Sequence, residues 1–138
     1  MKCVQCGATY SDGDSCENKF STILAKEFES PEYGVVHHLS VPCYYLQHNL
    51  YSKEGWLAAR QLLKQFISGE MTPDIARVKI RNNFDANNKP FSTTEGEKFT
   101  KIDVIAWNMT IADVRLSTAE TYCFDVLRWA ESIIKDTE

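Results

Sequence analysis

The sequence lacks the short motifs that identify several large enzyme classes. It contains no glycine-rich phosphate loop, no Gly-x-Ser-x-Gly nucleophile turn and no His-Glu-x-x-His metal pair. Long apolar runs are also absent, since no stretch approaches the ~20 residues that a membrane-spanning helix needs. None of these three chemistries is therefore indicated, and we expect no association with a membrane.

Positive charge is in the minority, with 15 Lys and Arg against 19 Asp and Glu and a net charge of −4. This balance gives no overall basic field and disfavours nucleic acid as a partner. The modestly basic middle of the chain lacks interleaved aromatic residues, so we interpret it as solvated helix faces.

The N-terminus, Met-Lys-Cys, is not followed by an apolar signal segment, and we expect a cytoplasmic protein.

With 138 residues, 43% of them hydrophobic, the chain is long enough for one domain with its own core. We expect a single domain over residues 1–138, made of a cysteine-rich metal-binding turn (1–16) and a helical bundle (17–138). Five cysteines are an odd number, which argues against a fully paired disulfide framework. Two of them, Cys43 and Cys123, lie on apolar helical stretches and are expected to be small buried hydrophobic residues.

Helix-start signals, either a capping residue or a proline at the first helical position, recur along the chain. They predict helices that begin near Asp14, Ser30, Ser52, Thr72, Thr100 and Ser117. The second helix is expected to continue toward His48 and the third to end at Gly69. The polar stretch 85–98 is predicted to be an exposed loop. Strand patterns are scarce, so the fold class is all-α, a bundle of about five to six helices with a zinc-knuckle-like turn at its N-terminal side.

Apolar residues at helical spacing predict which face of each helix is buried. The predicted buried stripes are Phe20, Ile23, Leu24 and Phe28 in the first helix, Trp56, Leu63, Phe66 and Ile67 in the third, and Cys123, Val126, Leu127, Ala130 and Ile134 in the last. The tryptophans, Trp56, Trp107 and Trp129, are expected to belong to the core.

The N-terminal cysteines carry the strongest chemical signal. Cys3 and Cys6 are separated by two residues on one tight turn, and Gly7 allows the backbone to turn behind the second thiol. Cys16 offers a third sulfur in the first turn of the first predicted helix, where the helix dipole favours thiolate. This spacing predicts a bound metal ion, and we expect it to be zinc.

The fourth ligand is open between two histidines. His37 and His48 are eleven residues apart, about three helical turns, so they share a face on a straight helix unless Pro42 kinks it. Glu27 borders the first apolar stripe, where its carboxylate could orient a ligating imidazole or bind the metal itself. The remaining pocket candidates beside these residues are Tyr33, Tyr45 and Gln47.

Three functions are compatible with such a site. A closed site with three cysteines and one histidine indicates a zinc-stabilised module that binds another protein or a small molecule, which is the function we favour. An open site with a zinc-bound water indicates a hydrolase-type enzyme in which His48 or Glu27 acts as general base. Oxidation of Cys3 and Cys6 with loss of zinc indicates a redox or metal-sensing switch. The sequence names neither the substrate nor the partner, and it leaves open whether the protein is an enzyme.

Several segments resemble the bacterial domain-of-unknown-function family DUF5946. They are Cys-x-x-Cys-Gly (3–7), a third Cys opening a helix with Leu-Ala-Lys-Glu-Phe (24–28), Pro-Glu-Tyr-Gly-Val-Val-His (31–37), Leu-Ser-Val (39–41), Tyr-x-x-Gln-His (44–48), the segment 99–104 and Trp-Ala-Glu (129–131). The resemblance implies that the family's cysteines correspond to Cys3, Cys6 and Cys16 and its helical histidines to His37 and His48. A further histidine that many relatives carry has no counterpart around residues 59–62. The family carries no known activity, so the resemblance implies a site without a function.

Overall fold

The computed structural model describes residues 2–10, 13–69 and 106–137. This part of the chain is helical, which confirms the predicted all-α class, and its isolated β-bridge joins Lys2 to Thr9. A 3-10 turn covers Ile111–Asp113. Within the described ranges, no helix combines the length and apolar character that crossing a membrane requires. The helices are α1 (Cys16–Glu29), α2 (Pro31–Gly34), α3 (His37–Gln47), α4 (Lys53–Ser68) and α5 (Ala119–Asp136).

The cap of helix α1 lies one residue later than predicted. The side chain of Ser15, rather than that of Asp14, accepts a hydrogen bond from the backbone N–H of Asn18 and caps the helix. Ile23 is fully buried as predicted, whereas Phe28 is 93% exposed, so its place in the buried stripe was wrong. Phe28 lies in the last turn of α1.

The predicted second helix is in fact two helices. A break at Val35 and Val36 separates α2 from α3, so one continuous helix from Ser30 was wrong. Gly34 ends α2 where an added Cβ would lie 3.0 Å from the carbonyl oxygen of Glu27, so a glycine is needed for α2 to approach α1 this closely. As a result, His37 is the first residue of α3.

Helices α4 and α5 form the other side of the described core, with α3 packed against both. The start of α4 after Ser52 and its end at Gly69 (φ +83°) are confirmed. In α5 the cap is Thr118 rather than Ser117, and Leu127 is exposed, so the buried face is rotated by one residue from the prediction. The residues of α5 that are buried are Tyr122, Asp125, Val126, Trp129, Ala130 and Ile133.

The remaining predictions have mixed outcomes. Cys43 is fully buried as expected, whereas Cys123 is only partly buried. Trp56 and Trp129 belong to the core, and Trp107 packs partly buried against it. Ile67, placed in a buried stripe, is 37% exposed. The helix predicted from Thr72, the loop 85–98, the basic middle region and the helix start at Thr100 lie outside the described residues.

Candidate metal centre

The turn that carries Cys3 and Cys6 is closed by the backbone. The N–H of Cys3 donates to the carbonyl of Ala8 (2.7 Å), and the N–H of Gly7 donates to the carbonyl of Cys3 (2.9 Å). Gly7 has a φ of +84°, in the left-handed region that a glycine adopts without strain. The two cysteines are therefore held on one short loop that can face a common point.

Cys16 and His48 are brought to this loop by two different helices. Cys16 is the first residue of α1, and His48 directly follows the last residue of α3. The donor atoms of Cys3, Cys6, Cys16 and His48 all lie within 4.8 Å of one another, and the sulfurs of Cys6 and Cys16 are 3.4 Å apart. Cys3 is partly exposed and the other three are buried. This cluster can hold a metal ion.

The orientation of His48 is fixed by its own helix. Its Nδ1–H donates to the carbonyl oxygen of Tyr44 at 2.7 Å, and its ring stacks on the Tyr44 ring at 4.1 Å. Because Nδ1 carries the proton, Nε2 keeps its lone pair, and among the described residues this buried atom has no hydrogen-bond partner. Asn49 then turns the chain with a φ of +56°, a conformation that asparagine tolerates better than most residues. A buried lone pair without a donor fits a metal ligand.

The electrostatics of the cluster also favour a cation. Burial raises the pKa of the Cys6 and Cys16 thiols, and burial lowers the pKa of His48, so the imidazole is neutral. Burial opposes ionisation at Cys3 too, but hydrogen bonds from the backbone of Cys6 and Gln5 lower the pKa of that thiol. Several thiolates so close together repel one another, and a bound cation removes that cost.

Tyr10 is a contact of the cluster that sequence reasoning missed. Its hydroxyl donates to the sulfur of Cys16 at 3.1 Å. A hydroxyl donor next to a thiolate spreads its negative charge. The available signal was the position of Tyr10 in the short loop between Cys6 and Cys16. The hydrogen bond from the His48 ring to the carbonyl of Tyr44 could not be predicted from residue types, because every residue carries a carbonyl.

His37 lies elsewhere. Its Nδ1–H donates to Oε1 of Glu27 at 2.9 Å, while Oε2 of Glu27 accepts from the hydroxyls of Ser40 (2.7 Å) and Tyr122 (2.6 Å). The structure thus brings His48, and not His37, to the three cysteines. Glu27 holds the imidazole of His37, which lies outside the cysteine cluster.

The other predicted pocket residues take up core positions. Gln47 donates from Nε2 to the carbonyl of Met109 (2.7 Å) and accepts from Nε1 of Trp129 (3.0 Å), so it joins α3 to α5. The hydroxyl of Tyr33 donates to the carbonyl of Leu116 at 3.1 Å. Tyr45 packs against an aromatic group of Phe20, Tyr44 and Tyr51. Of these aromatic residues, Tyr44 is the one that contacts His48 directly.

Comparison with known proteins identifies a family without a function. No curated protein and no solved structure matches this chain. The sequence profile described as "Family of unknown function (DUF5946)" matches residues 1–138. Because that match covers the whole chain, the protein belongs to the DUF5946 family.

Proposed function

We propose that this protein is a zinc-stabilised binding or interaction module, with zinc held by Cys3, Cys6, Cys16 and His48. The observation that carries the proposal is the convergence of three sulfurs and one imidazole within 4.8 Å of one another. Three cysteines and one histidine form one of the usual donor sets of structural zinc sites.

The spacing of the donors suits a tetrahedral ion. With zinc–sulfur bonds of about 2.3 Å, two sulfur ligands of a tetrahedral site lie about 3.8 Å apart. The 3.4 Å between the sulfurs of Cys6 and Cys16 is slightly shorter, and the largest separation in the cluster is below 4.8 Å. Both values lie near the ligand separations of a tetrahedral zinc site, which supports zinc as the ion.

The donor count supports a closed site rather than a catalytic one. Four protein donors complete the preferred coordination of zinc, whereas catalytic zinc has three and binds water in the fourth position. In the hydrolase alternative His48 or Glu27 is a base, which must reach a substrate. The side chain of Glu27 is only 3% exposed, and its oxygens already accept from three donors. His48 is only 3% exposed and its Nε2 is buried, so a role as ligand fits it better.

Zinc in this position would fix a surface of the protein. It would join the N-terminal turn to the start of α1 and the end of α3, segments that are distant in sequence. Val4, between Cys3 and Cys6, is 98% exposed and would be presented to solvent on a turn that zinc makes rigid. A turn that is already held in one conformation loses less conformational entropy when it binds a partner, and this supports an interaction role.

The test is the zinc content of protein prepared without chelator or an affinity tag that carries nickel. We expect about one zinc per chain in the wild type. His48→Gln and Cys16→Ser should lose it. The matched controls His37→Gln and Cys123→Ser change the same residue types outside the cluster and should keep it.

The coordination sphere distinguishes the alternatives. X-ray absorption at the zinc edge should show three sulfurs at about 2.3 Å and one nitrogen at about 2.0 Å, with no water. Zinc retained by His48→Gln together with a bound water would contradict the closed site and favour the hydrolase. Loss of zinc together with a disulfide between Cys3 and Cys6 after mild peroxide would instead favour the redox switch.

A further inference from the structure

A cleft lies at the end of α3 that is opposite the cysteine cluster, between α1, α2 and the first residues of α3. Its volume is about 880 Å³, within the usual range for small-molecule sites. It shares none of its lining residues with the cleft beside Cys3 and His48. Most of its lining is apolar or small, and the polar members are Glu27, His37 and His38.

Two large apolar side chains at this cleft are exposed. Phe28 is 93% exposed and Val35 is 50% exposed. Leu24 also lines the cleft. Burial of such surface by a bound molecule is favourable by roughly 25 cal/mol for each Å² removed from water. The cleft therefore offers affinity for an apolar body.

The polar anchor of the cleft is a buried carboxylate that holds a histidine. The side chain of Glu27 is only 3% exposed, and its two oxygens accept from His37, Ser40 and Tyr122. The side chain of His37 is 50% exposed. Since Nδ1 of His37 is bonded to Glu27 on the core side, Nε2 is the nitrogen on the outer side of the ring. Within the described ranges, no residue forms a hydrogen bond with it.

A carboxylate on Nδ1–H fixes the histidine tautomer and strengthens Nε2 as an acceptor. The hydrogen bond that His37 donates to Glu27 also raises the pKa of His37. An anionic ligand at Nε2 would approach the charge of Glu27, which lies on the other side of the ring. A hydroxyl group avoids this conflict, because it is uncharged and donates to the lone pair.

We propose that this cleft binds a small, largely apolar molecule that carries a hydroxyl group, and that the hydroxyl donates its hydrogen bond to Nε2 of His37. Leu24, Phe28 and Val35 contact the apolar body. Glu27 is a positioning residue, which acts on the ligand only through His37. This site is separate from the zinc site, so either proposal can fail without the other.

The test compares three ligands with the same ring system on zinc-loaded protein. The probes are 2-naphthol, naphthalene and 2-naphthoate, titrated at a pH above the measured pKa of His37. Binding is followed by the ¹⁵N resonances of the imidazole, which report whether Nε2 accepts a hydrogen bond. We expect 2-naphthol to bind at least about tenfold more tightly than either of the others and to shift Nε2 of His37.

Two pairs of variants locate the contact. His37→Gln should weaken 2-naphthol binding about tenfold, to the level of naphthalene, while His38→Gln, on the same cleft, should stay within about threefold of the wild type. Glu27→Gln should weaken 2-naphthol but not naphthalene, whereas the exposed Glu29→Gln should change neither. Thermal unfolding of each variant confirms that it is folded.

The proposal is overturned by any of four results. These are no binding of 2-naphthol to the wild type, equal affinity for 2-naphthol and naphthalene, tighter binding of 2-naphthoate, or full affinity in His37→Gln. Tighter binding of 2-naphthoate would mean that His37 acts as a cation rather than as an acceptor.

Discussion

His37 and His48 mark the two ends of α3, and their surroundings differ in almost every respect. His37 begins the helix, is half-exposed and donates from Nδ1 to the carboxylate of Glu27. His48 follows the last turn, is buried and donates from Nδ1 to the backbone carbonyl of Tyr44. In both rings the Nδ1 bond selects the tautomer, so Nε2 is the nitrogen that is left for chemistry.

Histidine has a different chemistry at each end of α3. A hydrogen bond to a carboxylate raises the pKa of His37, and burial lowers the pKa of His48. A neutral, buried imidazole next to three sulfurs suits a metal, whereas a half-exposed one backed by a carboxylate suits a hydrogen bond from a ligand. The environment of Nε2, rather than spacing along the helix, separates the two roles.

Zinc removal is expected to produce the largest difference between the two ends of α3. At free zinc a thousandfold above its dissociation constant, binding stabilises the fold by about 4 kcal/mol, and a chelator removes this contribution. Denaturant unfolding with and without chelator should show that gap in the wild type and in His37→Gln. His48→Gln should show little or no gap, because the site has lost a donor.

Equal effects of chelator on His37→Gln and His48→Gln would contradict the separate roles of the two histidines. If both variants keep the gap, the metal is held without either histidine. If both lose it, the two ends of α3 are coupled, and the metal stabilises the Glu27–His37 pair as well.

A smaller effect is expected from the hydroxyl of Tyr122 at the Glu27 end. Tyr122→Phe removes one of three donors to a buried carboxylate, and hydrogen bonds to charged groups contribute about 1.5–3 kcal/mol. Urea unfolding should show a loss of that size with unchanged zinc content. The control Tyr45→Phe removes a hydroxyl from a partly buried tyrosine that is not bonded to Glu27, and should cost much less. A loss of zinc in Tyr122→Phe would show that the two sites are not independent.

The sequence predicts the local features of this molecule well. The Cys3–Cys6 turn, the position of Cys16 at the start of α1 and the boundaries of α4 depend on residues close in sequence, and local chemistry determines them. The glycine at residue 69 also acts locally, since its left-handed conformation ends α4. Capping assignments at α1 and α5 were one residue off because adjacent polar residues compete for the same role.

What the sequence left open depends on tertiary contacts. His37 and His48 are equivalent by spacing, and only the break between α2 and α3 and the approach of Glu27 separate them. Gln47 was predicted to line a pocket because it is polar and adjacent to His48. Its hydrogen-bond partners, Met109 and Trp129, come from distant segments. Helical spacing indicates one face of a helix, and it does not say which neighbour that face will meet.

The smallest expected effect is the pH dependence of the His37 contribution. Glu27 raises the pKa of His37 above its ordinary value of 6.5 in the folded state. The folded protein therefore holds this proton more tightly than the unfolded chain. The resulting stability is fully present below pH 6.5 and is lost as the pH rises through the folded pKa. The effect is small because the half-exposed ring is screened by water.

The measurement is the free energy of unfolding of the wild type and of His37→Gln at pH values below and above 6.5. The advantage of the wild type should be greatest below pH 6.5 and should shrink above it. In an NMR titration, Glu27→Gln should move the pKa of His37 back toward 6.5, while Glu29→Gln should leave it raised. A wild-type His37 that titrates at or below 6.5 would mean that burial outweighs the carboxylate at this end of α3, as burial does at His48.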